Sequence, residues 1–195
     1  MTEPNVTTRI VVGVDFEETS DHALVSAIRL ARRLPYCELH PVHVLPERQG
    51  KERLDELDDL IEKGYTVLRE RLQFAASRLF GDEEWEQHTV LHIRVGGAAR
   101  SIHQVAIDMD ADLIVVGHHD RGPIGRLVLG SVAEELVRKA KVAVLVAREK
   151  GVDASAKTDW PEPRREGEAL EGGRSWSRTE KIAFGPRPTH VSGLL

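Results

Sequence analysis

The segment DLIVVG, residues 112–117, is a nearly continuous run of apolar side chains that ends on a glycine. A strand that is apolar at successive positions is expected where helices cover both faces of a sheet, as in parallel α/β folds. Amphipathic segments at helical spacing precede and follow this run. DLIVVG therefore predicts a central strand, and the segments on either side of it decide how many strands join the sheet.

Strands and helices are predicted to alternate over residues 9–148. Helices are expected between the strands. The longest is expected over residues 54–79, and Gly64 is its least favourable position because glycine has a low helix propensity. Pro41 lies inside the second predicted strand, and we expect it at a strand start or a sheet edge because it has no amide hydrogen. The pattern predicts one doubly wound α/β domain with a five-stranded parallel sheet and helices on both faces. The other four predicted strands are RIVVGVD (9–15), ELHPVHVL (38–45), TVLHIRV (89–95) and VAVLVA (142–147).

Composition narrows the classes of function. The 195 residues are 41% hydrophobic and carry a formal net charge of −5, which gives no electrostatic case for nucleic-acid binding. No apolar run approaches the length of a membrane span, and no secretory signal is visible. The single cysteine, Cys37, is expected to be a buried apolar residue, and a chain without a disulfide framework suits a reducing compartment. We therefore expect a cytoplasmic protein with no nucleic-acid or membrane partner.

The periodicity ends after residue 148. Residues 149–195 combine proline, glycine and charged residues without a sustained pattern, which predicts a disordered C-terminal tail. Trp160 and Trp176 in this tail leave a docking motif open as an alternative. Residues 1–8 are expected to be a flexible N-terminus, so the predicted folded domain is 9–148.

Ligands of doubly wound sheets bind beyond the carboxyl ends of the strands, where the strand order reverses. Asp15 ends the first predicted strand and Gly117 ends the fourth, so the two face one crevice if these strands are neighbours. Gly130 and Ser131 lie at the opening turn of the fourth predicted helix, where free N–H groups and the helix dipole favour a phosphate. The structural alternative is that Ser131 is a helix cap and the glycines only form turns.

The nine histidines raise the question of a metal site. His40 and His43 are three residues apart on a strand and point to opposite faces. His88 and His92 share a face, but no third ligand is evident. The common fingerprints of nucleotide sites, Gly-x-x-x-x-Gly-Lys-Ser/Thr and Gly-x-Gly-x-x-Gly after the first strand, are also absent.

Four segments resemble the universal stress protein superfamily, and the resemblance covers residues 9–148. The resemblance implies the adenine-nucleotide alpha-hydrolase-like fold with strand order 3-2-1-4-5, which places strands one and four side by side. The segments are RIVVGVDFEETSDHAL (9–24), VHVL (42–45), RVGGAARSIHQVAIDMDADLIVVG (94–117) and GHHDRGPIGRLVLGSVAEELVRKAKVAVLVA (117–147).

Superfamily members with the motif Gly-x-x-Gly-x9-Gly-Ser/Thr tend to bind ATP. Gly117 matches the first glycine of this motif, Gly130 and Ser131 match its end, and the nine-residue gap from 121 to 129 is intact. Asp120 replaces the second glycine. A carboxylate close to a triphosphate opposes binding by on the order of 1 kcal/mol in a partly screened site.

The same resemblance implies roles for further residues. Asp15 would lie near the ribose or a bound Mg²⁺, and Val44 would contact adenine through its backbone. The implied function is a stress-response sensor or regulator that binds ATP or another adenine nucleotide. The other residues expected to line the nucleotide site are Val14, Val116, His119 and Val132.

Two alternatives remain open beside nucleotide binding. One is a stress protein that has lost ATP and acts by dimerisation and partner contact, which Asp120 favours. The other is slow ATP hydrolysis or autophosphorylation, for which no general base can be assigned and nothing fixes the geometry of Asp15, Ser131 and His119 as a nucleophile set. In either case we expect a homodimer through the fifth strand, 142–147, because VAVLVA lacks the charges or proline that usually protect an edge strand.

Overall fold

The computed structural model describes residues 7–47, 54–80, 87–118, 129–148 and 177–184. Within these ranges, strands and helices alternate as predicted up to the fifth strand. The elements are β1 (Thr8–Gly13), α1 (Glu18–Ala31), β2 (Cys37–Leu45), α2 (Leu54–Phe80), β3 (Gln87–Val95), α3 (Ala98–Asp108), β4 (Leu113–Gly117), α4 (Ser131–Lys139), β5 (Ala143–Ala147) and β6 (Ser177–Phe184).

The first five strands form a parallel sheet in the order β5-β4-β1-β2-β3. This confirms the predicted doubly wound sheet of order 3-2-1-4-5. β1 is its central strand, and Ile10, Val11 and Val12 are fully buried because helices cover both faces. α1 and α2 contribute to the hydrophobic core on one face, while α3 and α4 contribute to the core on the other. Among the described helices, none has both the length and the apolar character needed to cross a membrane.

A sixth strand, β6, pairs antiparallel with the outer edge of β3 over eight residues, from Gln87 opposite Phe184 to Arg94 opposite Ser177. The structure differs here from the predicted disordered tail. Backbone ladder hydrogen bonds to a free sheet edge do not require an apolar side-chain pattern, so periodicity gave no signal for this strand. The other residues of the predicted tail, including Trp160 and Trp176, lie outside the described residues, and the domain boundaries stay a prediction.

Pro41 lies inside β2, between β1 and β3, so the expectation of a strand start or a sheet edge is wrong. The Val42 carbonyl accepts a hydrogen bond from the Val14 amide at 2.9 Å, which turns the backbone of Pro41 towards β3. The pairing of β2 with β3 has a gap between Leu39 and Val42, although the register is the same on both sides of it. An interior proline is accommodated because the ladder is interrupted where its missing N–H would have paired.

Two local expectations are confirmed. α2 is one uninterrupted helix through Gly64, where an added Cβ would lie 3.1 Å from the Ile93 side chain, so glycine lets the helix approach β3 closely. Cys37 is 5% exposed, and burial raises the pKa of its thiol to about 12. It is therefore a buried residue with little thiolate character.

Gly117 ends β4 directly beneath the first turn of α1. A Cβ at this position would overlap the carbonyl oxygen of Thr19 and lie 3.0 Å from the amide nitrogen of Ser20. Both atoms belong to the backbone and cannot rotate away as the end of a side chain can. The approach of α1 to the end of β4 therefore requires glycine at 117.

We predict that Gly117→Ala lowers the free energy of unfolding by about 1–3 kcal/mol, because the new methyl group forces α1 away from β4. The control is Gly97→Ala, where an added Cβ meets no atom within 4 Å and φ is −73°. Gly97 is the N-cap of α3, so this control should lose less than about 1 kcal/mol. Urea unfolding of both variants measures the difference, and equal losses would contradict the close approach.

Candidate functional site

A cavity of about 240 Å³ opens at the carboxyl ends of β1 and β4. β1 and β4 are hydrogen-bonded neighbours, so the condition on which the predicted crevice depended is met. The cavity is lined by Gly13, Val14, Asp15, Thr19, Ser20, Val42, Val44, Ala98, Ile102, Val116, Gly117, Gly130, Ser131, Val132 and Ala133.

Three helices begin at this cavity. α1 contributes Thr19 and Ser20 from its first turn, α3 contributes its first residue, Ala98, and α4 contributes residues 131–133. The first backbone N–H groups of a helix have no partner within the helix, and they carry the positive end of its dipole. These helix starts therefore contribute partial positive charge from the backbone to the cavity, whose described lining contains no lysine or arginine.

The start of α4 tests the structural alternative considered for Ser131, that it is a helix cap. Gly130 is the N-cap, without a side-chain cap hydrogen bond, and Ser131 is the first helical residue. The first bond within the helix runs from the Glu134 amide to the Gly130 carbonyl at 2.9 Å, so the three preceding amides are not used in it. Ser131 is therefore not the N-cap, and both its amide and its hydroxyl belong to the segment that lines the cavity.

The other wall of the cavity is apolar. Val42 and Val44 project from β2, Val116 from β4 and Ile102 from α3. Such a wall favours a flat or aliphatic group, whereas the helix N-termini favour an anionic group. The cavity is therefore suited to a ligand that has one apolar part and one anionic part.

Asp15 is the charged side chain among the described lining residues. It follows β1, is exposed, and its Oδ1 accepts a hydrogen bond from the Glu17 amide at 3.0 Å. A carboxylate in this position can accept hydrogen bonds from hydroxyl groups or contribute one oxygen ligand to a hard cation.

The structure brings most of the predicted site residues to this one cavity. His119 and Asp120, which were also predicted, lie outside the described residues. The predicted residues that line the cavity are Val14, Asp15, Val44, Val116, Gly117, Gly130, Ser131 and Val132.

Some lining residues were missed by the sequence analysis. Val42 and Ile102 have the spacing of core residues, and spacing alone cannot separate a core position from a cavity wall. Thr19 and Ser20 did carry a signal, since two hydroxyl side chains follow Asp15 closely at the start of a helix. The missed residues are Gly13, Thr19, Ser20, Val42, Ala98, Ile102 and Ala133.

A second group of polar side chains is buried between β2 and β3. His40 Nδ1 and His92 Nε2 are 3.1 Å apart, and burial lowers the pKa of both imidazoles, that of His92 to about 3. His43 lies on the opposite face of β2, as the strand spacing predicted, and contacts Phe16. In the described part of the chain, no group of three or more histidine, cysteine, aspartate or glutamate side chains has an arrangement suited to a metal ion.

Comparison with known proteins relates this chain and its fold to one family. The model of the universal stress protein family matches residues 7–148. Universal stress protein MJ0531 of Methanocaldococcus jannaschii is 30% identical over 152 residues, which cover 74% of this chain and 84% of that protein. The solved universal stress protein of Archaeoglobus fulgidus is 28% identical, with a TM-score of 0.52, over 73% of this chain and all of that one.

A solved universal stress protein in complex with cAMP is 25% identical, with a TM-score of 0.55, over 73% of this chain and 98% of that chain. The family model covers well over half of the 195 residues. This chain belongs to the universal stress protein family.

Proposed function

We propose that this protein binds ATP or another adenine nucleotide in the cavity between β1 and β4 and acts as a stress-response sensor or regulator. The observation that carries the proposal is the convergence of three helix N-termini on a cavity whose other wall is apolar. Helix N-termini favour phosphate groups, and an apolar wall favours a purine ring. The complex of a related universal stress protein with cAMP supports the choice of an adenine nucleotide.

The lining residues suggest how the nucleotide is oriented. The base would contact Val44 on β2, the ribose would lie near Asp15, and the phosphates would approach Gly117 and the Gly130-Ser131 turn. Magnesium fits this arrangement, because it is usually held by one or two carboxylates together with phosphate oxygens and water. Asp15 would supply the protein ligand, and the metal would bind together with the nucleotide.

We predict that Asp15→Ala weakens ATP binding by about 10–100-fold in the presence of Mg²⁺, because a charged hydrogen-bonding group is lost from the site. The control is Glu135→Ala, which removes an exposed carboxylate that pairs with Lys139 on α4. Titration calorimetry gives both affinities, and melting curves should show little change for either variant. An unchanged affinity in Asp15→Ala would contradict the proposed role.

We also propose that the charge of Asp120 weakens phosphate binding at the glycine-rich loop. Asp120→Asn should therefore raise ATP affinity by up to about tenfold, which corresponds to about 1.4 kcal/mol. Asn also tolerates positive φ, so this variant changes the charge with little change in backbone preference. Mg²⁺ should reduce the difference, and weaker binding by Asp120→Asn would indicate that Asp120 assists binding.

The second candidate function is a stress protein that acts through dimerisation and partner contact without a nucleotide. Among the described strands β5 forms one edge of the sheet, and its side chains favour this candidate. Leu145 is 41% exposed, Val137 on neighbouring α4 is 54% exposed, and β5 has no charged residue. We propose a homodimer through this edge in both cases, in the cytoplasm, where Cys37, the single cysteine of the sequence, stays reduced. Mass spectrometry of an extract of the purified, denatured protein separates the candidates, because a released adenine nucleotide supports the first.

We predict that Leu145→Lys converts the homodimer to a monomer, because a charge is placed at the centre of the paired edge. Tyr36→Lys is the matched control, since Tyr36 is 48% exposed but lies in the connection between α1 and β2. Light scattering after size-exclusion chromatography gives the masses. A monomeric unsubstituted protein at micromolar concentration would contradict the dimer.

A further inference from the structure

Four side chains form a cluster beside the Asp15 turn, on the side of the sheet that α1 and α2 cover. We call Phe16, Asp21, His43 and Arg71 the backing cluster. The rings of Phe16 and His43 are stacked with their centroids 3.9 Å apart and an angle of 20° between their planes. Arg71 lies 5.5 Å from the centre of the Phe16 ring, and its Nη1 donates to both carboxylate oxygens of Asp21.

The backing cluster holds a backbone conformation that Phe16 would not adopt readily. Phe16 has φ of 65°, in the left-handed region that is unfavourable for a bulky side chain. Its ring is stacked on the imidazole of His43, and the guanidinium of Arg71 lies over the ring. Because Arg71 and Asp21 are 2% and 1% exposed, this support is rigid, and it keeps the turn after Asp15 in place.

His43 also holds the residue before Asp15. Its Nδ1 lies 2.8 Å from the carbonyl oxygen of Val14, and the carbonyl can only accept, so the proton is on Nδ1. Burial lowers the pKa of His43, which agrees with a neutral ring at pH 7. One side chain thus fixes both chain neighbours of Asp15, Val14 by a hydrogen bond and Phe16 by stacking.

We propose that His43 is a positioning residue for Asp15: it holds the turn between β1 and α1 so that the Asp15 carboxylate faces the cavity before a ligand binds. The expected effect of this positioning on ligand affinity rests on the nucleotide-binding function proposed above. Asp15 itself is exposed, and within the described residues its side chain is bonded only to the Glu17 amide. A turn that is already ordered loses less conformational entropy on binding, which raises affinity.

Two substitutions separate the contributions of His43. His43→Phe keeps a ring that can stack on Phe16 but removes the donor to Val14, whereas His43→Asn keeps an N–H group near the position of Nδ1 but removes the ring. Both are combined with Asp15→Ala in a double-mutant cycle, with ATP and Mg²⁺ as the ligand and calorimetry as the measurement.

We predict that His43→Phe weakens ATP binding by about 5–20-fold when Asp15 is present and by less than about twofold in the Asp15→Ala background, because the effect passes through Asp15. His43→Asn should bind ATP more tightly than His43→Phe but less tightly than the unsubstituted protein. The same loss in both backgrounds would overturn the proposal, since a general structural role for His43 does not depend on Asp15.

Hydrogen exchange of the nucleotide-free protein gives a second test that does not depend on ATP. The Glu17 amide, bonded to Asp15 Oδ1, should exchange at least about tenfold faster in His43→Phe, while the amide of buried Val12 in β1 keeps its rate. Unchanged exchange at Glu17 would overturn the proposal. If the unsubstituted protein binds no ATP but Glu17 exchange still rises, the nucleotide function fails while the positioning of Asp15 stands.

Discussion

The pairing of β1 with β4 determines where the other parts of the site lie. From β1 the chain crosses to β2 on one side, and from β4 it crosses to β5 on the other, so the loops that leave these two neighbours separate. This separation leaves a crevice at the carboxyl ends of the strands. Each helix that follows a parallel strand also starts at this end of the sheet, so helix N-termini converge there. The cavity and the helix N-termini that line it thus both follow from one strand order.

Much of this arrangement could be predicted from the sequence. Periodicity predicted the alternation of strands and helices, and strand ends placed Asp15 and Gly117 at one edge of the sheet. The expectation that β1 and β4 are adjacent strands was implied by the family resemblance. Ala98 and Ile102 could not be assigned to the cavity, because their exposure to it depends on how α3 crosses the sheet. The expected position of Pro41 was wrong because the sequence does not show where the pairing between two neighbouring strands has a gap that can accommodate a residue without an N–H group.

The remaining surprises are contacts between residues that are distant in sequence. Arg71 and Asp21 are 50 positions apart, and helical periodicity alone gives no reason to bury a charged pair between α1 and α2. Burial raises the pKa of Asp21 to about 6 even though Arg71 opposes the shift. The Asp21 carboxylate is therefore strongly shielded from water. Removing either partner would leave an uncompensated buried charge. The pair therefore ties the placement of α1 to that of α2.

β6 changes the character of one edge of the sheet. The five parallel strands alone would end at β3 and at β5, and each edge is a template for another strand. The chain covers the β3 edge with its own β6, so in the described part of the protein the sheet ends at β5 and at β6. The sequence of β6, SRTEKIAF, contains three charged residues of the kind that discourage further pairing at an edge, whereas β5 has none. Pairing of β5 with β5 of a second copy would use the β5 edge of both copies, and growth beyond that pair would have to proceed through the charged strand.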